Sequence, residues 1–226
     1  MKFKTKLTES NFGRIGKVSF AQALLETICS RECDEKDVQI FEALLVASMD
    51  NGIEVPSIFV PRVVASTGNS MNASLAAGLL SIGDYHGGAA ELCAVYLLSG
   101  RSASEIVSEI VKRGKRMPGY GHKVYKDSDP RVVAVYELAS RLGKQGKYLD
   151  LARQIEVELN KQLGKVLPLN IDGVMAAVMC ELGIDQRYGK AIFGLSRLPT
   201  MAAHVIEELT LDKPYRRLEA SDVESV

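Results

Sequence analysis

Apolar side chains recur at steps of three and four along most of the chain. Val38, Phe41, Leu44, Leu45 and Ala47 form one such run. Met71, Leu75, Ala76, Leu79 and Leu80 form a second, and Leu92, Val95, Tyr96 and Leu97 a third. Val133, Val135, Leu138 and Leu142 make a fourth, and Leu151, Ile155, Leu159 and Leu163 a fifth. Two more run from Val174 to Leu182 and from Ala202 to Leu209. This is the period of helices that bury one face. Strand-like alternation is scarce. Ile58-Phe59-Val60 is the best short candidate, and it runs into Pro61. The pattern predicts an all-α fold. Breaks are expected at Gly83 to Gly88, Gly114 to Gly121, Gly164 to Pro168, and Leu198-Pro199, where glycine and proline interrupt the period. No repeat period or low-complexity tract is visible. The polar tail after Lys213 is expected to be mobile at its end. No linker divides the chain, so a second domain would have to be an insertion between helices.

Composition narrows the function classes. Twenty-eight basic and 28 acidic side chains cancel among 226 residues, 46% of which are hydrophobic and 25% charged. Disorder is excluded by that hydrophobicity, and a wholly basic nucleic-acid binder by the charge balance. No stretch approaches the roughly 20 apolar residues that span a bilayer. The start, Met1-Lys2-Phe3-Lys4-Thr5-Lys6, lacks the apolar core of a secretory signal. Cys29, Cys33, Cys93 and Cys180 are too scattered for a disulfide framework and read as small hydrophobes in a reducing cytoplasm. Cys29 and Cys33 lie four apart, but no second pair offers metal spacing. The three histidines are more than 30 residues apart, which gives a local metal site little support. No permanently bound cofactor is expected.

Familiar nucleotide and hydrolase motifs fail. Gly13-Arg14-Ile15-Gly16-Lys17 is followed by Val18, where a P-loop needs Ser or Thr. Gly119-x-Gly121 lacks the third glycine and the preceding strand of a dinucleotide site. There is no His-Glu-x-x-His helix and no Gly-x-Ser-x-Gly elbow.

Three segments keep chemical interest. His86 lies in Gly83-Asp84-Tyr85-His86-Gly87-Gly88, whose glycines let a ligand approach the backbone. His122 lies in Pro118-Gly119-Tyr120-Gly121-His122-Lys123, ahead of Asp129-Pro130-Arg131. There Asp129 suits an N-cap and Pro130 a first helical residue. Arg131 then falls in a helical first turn, where the dipole disfavours a cation unless an anion sits there too. A bend of its side chain to solvent is the plainer reading. Asp172 follows Leu167-Pro168-Leu169-Asn170-Ile171 and precedes an apolar helix. It reads either as an N-cap carboxylate or as a base whose pKa is raised by desolvation. Arg197, in Ser196-Arg197-Leu198-Pro199, and Arg216, in Pro214-Tyr215-Arg216-Arg217, stand beside apolar helices.

Taken in order, these segments resemble the citrate synthase superfamily. Carrying the resemblance are Arg62-Val63-Val64-Ala65-Ser66-Thr67-Gly68, Ala76-Ala77-Gly78 to His86-Gly87-Gly88-Ala89, and Pro118-Gly119-Tyr120-Gly121-His122-Lys123-Val124-Tyr125 through Asp129-Pro130-Arg131. Asn170-Ile171-Asp172, Ser196-Arg197-Leu198-Pro199, Ala203-His204 and Tyr215-Arg216 complete it. The resemblance covers most of the chain from about residue 40 onward. It implies that His86 hydrogen-bonds the acetyl-CoA thioester oxygen as it becomes an enolate. Asp172 would take the methyl proton, and His122 would polarise the carbonyl of the 2-oxo acid. Arg131 and Arg197 would clamp carboxylates. Arg216 would be lent to a neighbouring subunit in a homodimer, a role Arg217 could also fill. Met117, Pro118, Gly119, Tyr120 and Gly121 would wrap coenzyme A, a substrate rather than a resident cofactor. The family fold implies a large helical domain, residues 1–87 and 179–226, with a smaller inserted one, residues 88–178. Helices over 36–49, 71–82 and 191–209 would supply a core and a dimer interface, with His204 structural.

Two departures colour the functional reading. Full-length members carry a long helical segment before this region, and the family's substrate-holding histidine in an Asp-His-Glu motif is replaced by Asn51, which still donates a hydrogen bond but carries no charge. Short members with a segment like Gly13-Arg14-Ile15 look like citryl-CoA lyases and the lyase module of ATP-citrate lyase. The first expectation is therefore cleavage of citryl-CoA to acetyl-CoA and oxaloacetate. In that direction His122 would accept the hydroxyl proton and Asp172 would protonate the enolate carbon. A synthase that also releases CoA, or an enzyme of another acyl-CoA or 2-oxo acid, is the second reading. A non-catalytic CoA- or dicarboxylate-binding subunit is the third; the presence of a base argues against it.

Overall fold

The computed structural model describes residues 11–49 and 52–224, and over them the chain is helical. Helix α1 spans Phe20–Cys29, α2 Glu35–Ser48, α3 Pro56–Ser66, α4 Met71–Leu80 and α5 Ala89–Leu97. Helices α6, Ala103–Lys112, α7, Pro130–Leu142, α8, Lys147–Leu163, α9, Ile171–Glu181, and α10, Gly189–Leu211, follow. The chain marks its own helix starts. Ser19, Asp34, Ser70, Ser102, Asp129 and Asn170 each accept a backbone N–H of the first turn, and Ser102 forms a reciprocal capping box with Glu105. Gly143 and Gly164 end α7 and α8 in the left-handed conformation that glycine adopts cheaply. No strand forms among the described residues, which agrees with the helical period.

Two expected interruptions turn out to be helical. Ile58-Phe59-Val60 lies inside α3, whose first residue is Pro56 and which continues through Pro61. Likewise α10 runs unbroken through Leu198-Pro199. An internal proline costs about 3 kcal/mol. In α10 that cost is offset by burial on both sides of it, at Ile192, Phe193, Met201 and Val205. In α3, Gly78 of α4 fits against the proline: a Cβ there would lie 3.1 Å from Pro61 Cγ and 3.2 Å from the Ser57 carbonyl oxygen.

Helix α9 is buried on all sides from Gly173 to Cys180 and packs against α5, α8, α2 and α7. It is the centre around which the others gather. Helices α3 and α4 pack on each other and on α10. The faces they bury are not the ones the apolar spacing pointed to. In α4 the small Ser74 and Gly78 turn inward, while Leu79 and Leu80 are exposed; in α5, Cys93, Ala94 and Leu97 turn inward, and Leu92 and Val95 outward. Cys93 and Cys180 are buried and Cys29 and Cys33 half-buried.

The tail is tied down further than its polarity suggested. The Tyr215 N–H donates to the Ser66 carbonyl oxygen at 2.7 Å, and the Arg216 N–H to Ser66 Oγ at 3.1 Å. No helix among the described residues is long and apolar enough to cross a membrane.

Candidate active site

The loop between α4 and α5 is folded tightly under His86. Gly83 and His86 exchange two backbone hydrogen bonds of 2.9 and 3.0 Å. At Gly87 (φ +78°) a Cβ would lie 2.6 Å from the Phe193 ring, and at Gly88 one would lie 2.7 Å from the Gly83 carbonyl oxygen. The two glycines thus serve packing of the loop itself. The His86 ring meets Phe193 edge-on at 5.6 Å. Its Nε2 accepts the backbone N–H of Ser57 at 3.3 Å and lies 2.8 Å from Ser57 Oγ. Arg197 Nη1 donates to that same Oγ at 3.4 Å, which leaves the Ser57 proton to point at Nε2. Burial first, and the Arg197 charge second, hold the imidazole below its ordinary pKa. A neutral ring whose Nε2 accepts carries its proton on Nδ1.

His122 is the mirror case. Its Nδ1 accepts the backbone N–H groups of Val124 and Tyr125, both at 3.0 Å. Burial, then Arg131, lower its pKa, with Asp129 opposing. The neutral ring therefore carries its proton on Nε2, 3.3 Å from Arg131 Nη2. Two donors this close can both reach one oxygen acceptor lying to the side of them. Tyr125 stacks on the ring at 4.7 Å.

Asp129 caps α7, as expected, with Pro130 in its first turn. Arg131 already meets an anion within its own chain. The buried Asp129 carboxylate accepts from Arg131 Nε at 2.9 Å, Nη2 at 2.7 Å and the backbone N–H at 3.0 Å. The chain's own carboxylate supplies what the helix end requires. Any role of Arg131 toward a substrate rests instead on its proximity to His122.

Asp172 is not the N-cap of α9. Asn170 is, its Oδ1 accepting the N–H groups of Asp172 at 3.0 Å and Gly173 at 3.2 Å. This frees the carboxylate. Its Oδ1 is buried and has no hydrogen-bond partner among the described residues. Burial raises its pKa, with Arg131 and Arg197 opposing and Asp129 adding to the rise.

The main chain stitches these segments together. The Gly121 N–H donates to the Pro168 carbonyl oxygen at 2.7 Å, the Asn170 N–H to Gly119 O at 3.0 Å, and Asn170 Nδ2 to Gly121 O at 2.8 Å. Gly119 (φ +84°) and Gly173 touch backbone to backbone: a Cβ on the first would lie 2.6 Å from Gly173 Cα, and one on the second 2.4 Å from Gly119 O. His122, next to Gly121, and Asp172, next to Gly173, are thereby fixed relative to each other. Arg197 closes the ring, since its charge acts on both His86 and Asp172. It is buried, donates from Nε to Ser48 O at 2.9 Å and lies over the Phe193 ring at 4.5 Å.

A cleft of about 690 Å³ opens beside His122, with Met117, Tyr120 and Gly121 on its wall. Met117 and Gly119 are buried, Pro118 half-buried, and the Tyr120 hydroxyl donates to Ala152 O at 2.8 Å. The same cleft carries Lys115, Arg116, Lys123 and Lys165, which the sequence reading did not single out. The run Lys112-Arg113-Gly114-Lys115-Arg116 was the available signal for two of them.

Two expected site residues stand elsewhere. Asn51 lies outside the described residues. Arg216 belongs to a separate cluster: its Nε donates to Glu208 Oε1 and its Nη2 to Glu208 Oε2, both at 2.7 Å, and Nη2 lies 2.8 Å from Asp212 Oδ2. Arg62 joins the same two carboxylates. His204 pairs with Glu207 at 2.7 Å.

Comparison with known proteins adds ancestry to this geometry. The profile of the family described as "Citrate synthase, C-terminal domain" matches residues 4–218. Citryl-CoA lyase from Hydrogenobacter thermophilus superposes with a TM-score of 0.90 at 41% identity, over 95% of this chain and 86% of that one. A citrate synthase from Thermoplasma acidophilum, solved with carboxymethyl coenzyme A and oxaloacetate, gives a TM-score of 0.75 at 27% identity over 92% of this chain and 57% of that one. The citrate synthase of Saccharolobus solfataricus is 32% identical over 200 residues, 84% of this chain and 52% of its own. The chain thus spans about half the length of the curated relatives it matches.

Proposed function

Since the chain belongs to the citrate synthase family, we propose that it makes or breaks the carbon–carbon bond between acetyl-CoA and oxaloacetate, and that cleavage of citryl-CoA is its main reaction. One observation carries the chemistry: a buried carboxyl oxygen without a partner among the described residues, Asp172 Oδ1, lies in the field of Arg197, beside His86, and of Arg131, beside His122. The preference for cleavage rests on the likeness to the Hydrogenobacter lyase, 41% identical with a TM-score of 0.90, against 27% and 0.75 for the Thermoplasma synthase.

In the direction of condensation, Asp172 takes a proton from the acetyl methyl. The electron pair moves onto the thioester oxygen, which accepts a hydrogen bond from Nδ1–H of His86. A donor set in place before charge develops is the larger part of such catalysis. The enolate carbon attacks the ketone carbon of oxaloacetate. The new alkoxide is met by Nε2–H of His122 and by Arg131. As it takes the Nε2 proton, the ring left behind is stabilised by two amide donors on Nδ1 and the Arg131 charge. Cleavage retraces these steps from the state in which they end, with Asp172 protonated, a form that its raised pKa favours, and His122 Nε2 deprotonated: the hydroxyl proton passes to His122 Nε2 and the Asp172 proton to the enolate carbon.

The basic cleft beside Met117–Gly121 suits the phosphates of coenzyme A. We place the smaller domain at residues 88–178, closing over the substrate. A homodimer through the exposed Phe59, Leu79, Leu80, Ile206 and Leu209 of α3, α4 and α10 completes the reading. Arg216 is held by carboxylates of its own chain, so the exposed Arg217 is the better arginine to lend across that interface.

The test supplies citryl-CoA in one assay and acetyl-CoA with oxaloacetate in another, and follows acetyl-CoA and free thiol. Acetyl-CoA from citryl-CoA without thiol release is the expected result. Thiol release from the second pair would make the chain a synthase. Silence in both, with CoA bound, would leave a binding subunit.

A further inference from the structure

Helix α2 ends on a hydroxyl where its buried stripe, Val38, Phe41 and Leu44, calls for an apolar side chain. That residue, Ser48, is fully buried, and its Oγ has no hydrogen-bond partner among the described residues. The other buried serines are all satisfied. Ser66 donates to Val63 O at 2.7 Å, Ser74 to Ser70 O at 3.0 Å and Ser196 to Phe193 O at 2.8 Å, the usual bond back to the preceding turn. Ser57 lies between Arg197 and His86. A buried hydroxyl without a partner costs stability, and an alanine would avoid the cost. Something outside the resting contacts has to account for it.

Its position says what. The Ser48 carbonyl oxygen accepts from Arg197 Nε at 2.9 Å, which puts the hydroxyl of the same residue within a side chain's length of that guanidinium. Only one other buried side-chain atom among the described residues lacks a partner, Asp172 Oδ1, and Arg197 acts on that group too. Two unsatisfied polar atoms, one acceptor and one donor, are thus tied to a single arginine. We propose that Ser48 is a substrate-binding residue, its hydroxyl donating to a carboxylate oxygen of the 2-oxo dicarboxylate held by Arg197. A serine there supplies a donor without adding charge beside an arginine.

This assignment rests on the dicarboxylate reading of the site, and the experiment separates the two. Oxaloacetate, citrate and CoA are titrated calorimetrically into the wild type, Ser48→Ala and Ser48→Cys, and the melting temperature of each is measured. The expected result is dicarboxylate binding weakened about tenfold or more in both variants, CoA binding unchanged, and melting temperatures equal to or above wild type. Variants that bind the dicarboxylate as tightly as wild type overturn the Ser48 assignment and leave the family chemistry standing. So does a loss of CoA and dicarboxylate affinity together with a lower melting temperature, which would make Ser48 structural. A wild type that binds neither dicarboxylate overturns the underlying reading, and this assignment with it.

Discussion

The two histidine–arginine arms of the site solve one problem by opposite means. On one arm, Arg131 is gripped by the Asp129 carboxylate and His122 is fixed through Nδ1 by two amides. On the other, Arg197 bonds a carbonyl and a hydroxyl, and His86 is fixed through Nε2 by Ser57. The rings end in opposite tautomers, each presenting one N–H. The first arm sets a carboxylate against its arginine, and the second sets a carbonyl and a hydroxyl against its own. The first arginine is oriented by a grip of two of its nitrogens on one carboxylate.

The carboxyl between the arms offers the hardest test of the scheme. Asp172→Asn should cut turnover about 10³-fold with CoA affinity nearly intact; near-wild-type rates would remove Asp172 from the chemistry. The same variant should melt higher at neutral pH. A carboxyl whose folded pKa is raised has its stability share intact at low pH and loses it as pH rises through that pKa. The gain should thus fade as pH falls toward the ordinary carboxylate range near 3.9. A gain independent of pH would break the account.

Removing the arginines separates the arms directly. Arg131→Met leaves Asp129 buried and unpaired, a loss of about 3–5 kcal/mol in unfolding free energy. Adding Asp129→Asn should recover most of that stability without recovering dicarboxylate affinity. Arg197→Met removes the donor to the Ser48 carbonyl oxygen and the Ser57 hydroxyl, and should weaken the dicarboxylate at least as much as Arg131→Met does. Chemical denaturation and calorimetric titration read both quantities, and a dicarboxylate affinity unchanged in Arg197→Met would remove that arginine from the binding site.

Smaller effects refine it. Nitrogen NMR of the imidazoles should show His86 protonated on Nδ1 and His122 on Nε2, both titrating below the usual value of about 6.5. Because the folded pKa values are lowered, the stability they contribute is present above that pH and lost as pH falls through it. One tautomer shared by both rings would contradict the arms as drawn. Least of all, Lys115→Ala or Lys165→Ala should weaken CoA only a few-fold, and the deficit should shrink in high salt. A salt-independent deficit would put those lysines outside the phosphate contacts.

Much of this layout was legible before any coordinates. Asp129-Pro130 announced a helix start, the glycine loops announced His86 and His122, and the apolar spacing announced the helices, because these signals act within a few residues. What escaped depended on partners far along the chain. Nothing near His86 pointed to Ser57, 29 positions away, as its anchor. The grip of Asp129 on Arg131 was local, but the helix-dipole argument could not tell an internal anion from a ligand. Pro61 and Pro199 read as breaks because the burial that overrides them comes from other helices. The inward faces of α4 and α5 were misassigned for the same reason: where small residues allow close packing, the large ones are left outside.

The bare main-chain contact of Gly119 with Gly173 has a consequence for how the protein fails. With no side chain between the two strands of polymer, there is no soft layer to absorb drift. The segments bearing His122 and Asp172 must travel as a single rigid piece. Under heat or denaturant, proton transfer and carbonyl polarisation should vanish in the same transition, while the His86 arm, anchored on other helices, obeys its own schedule.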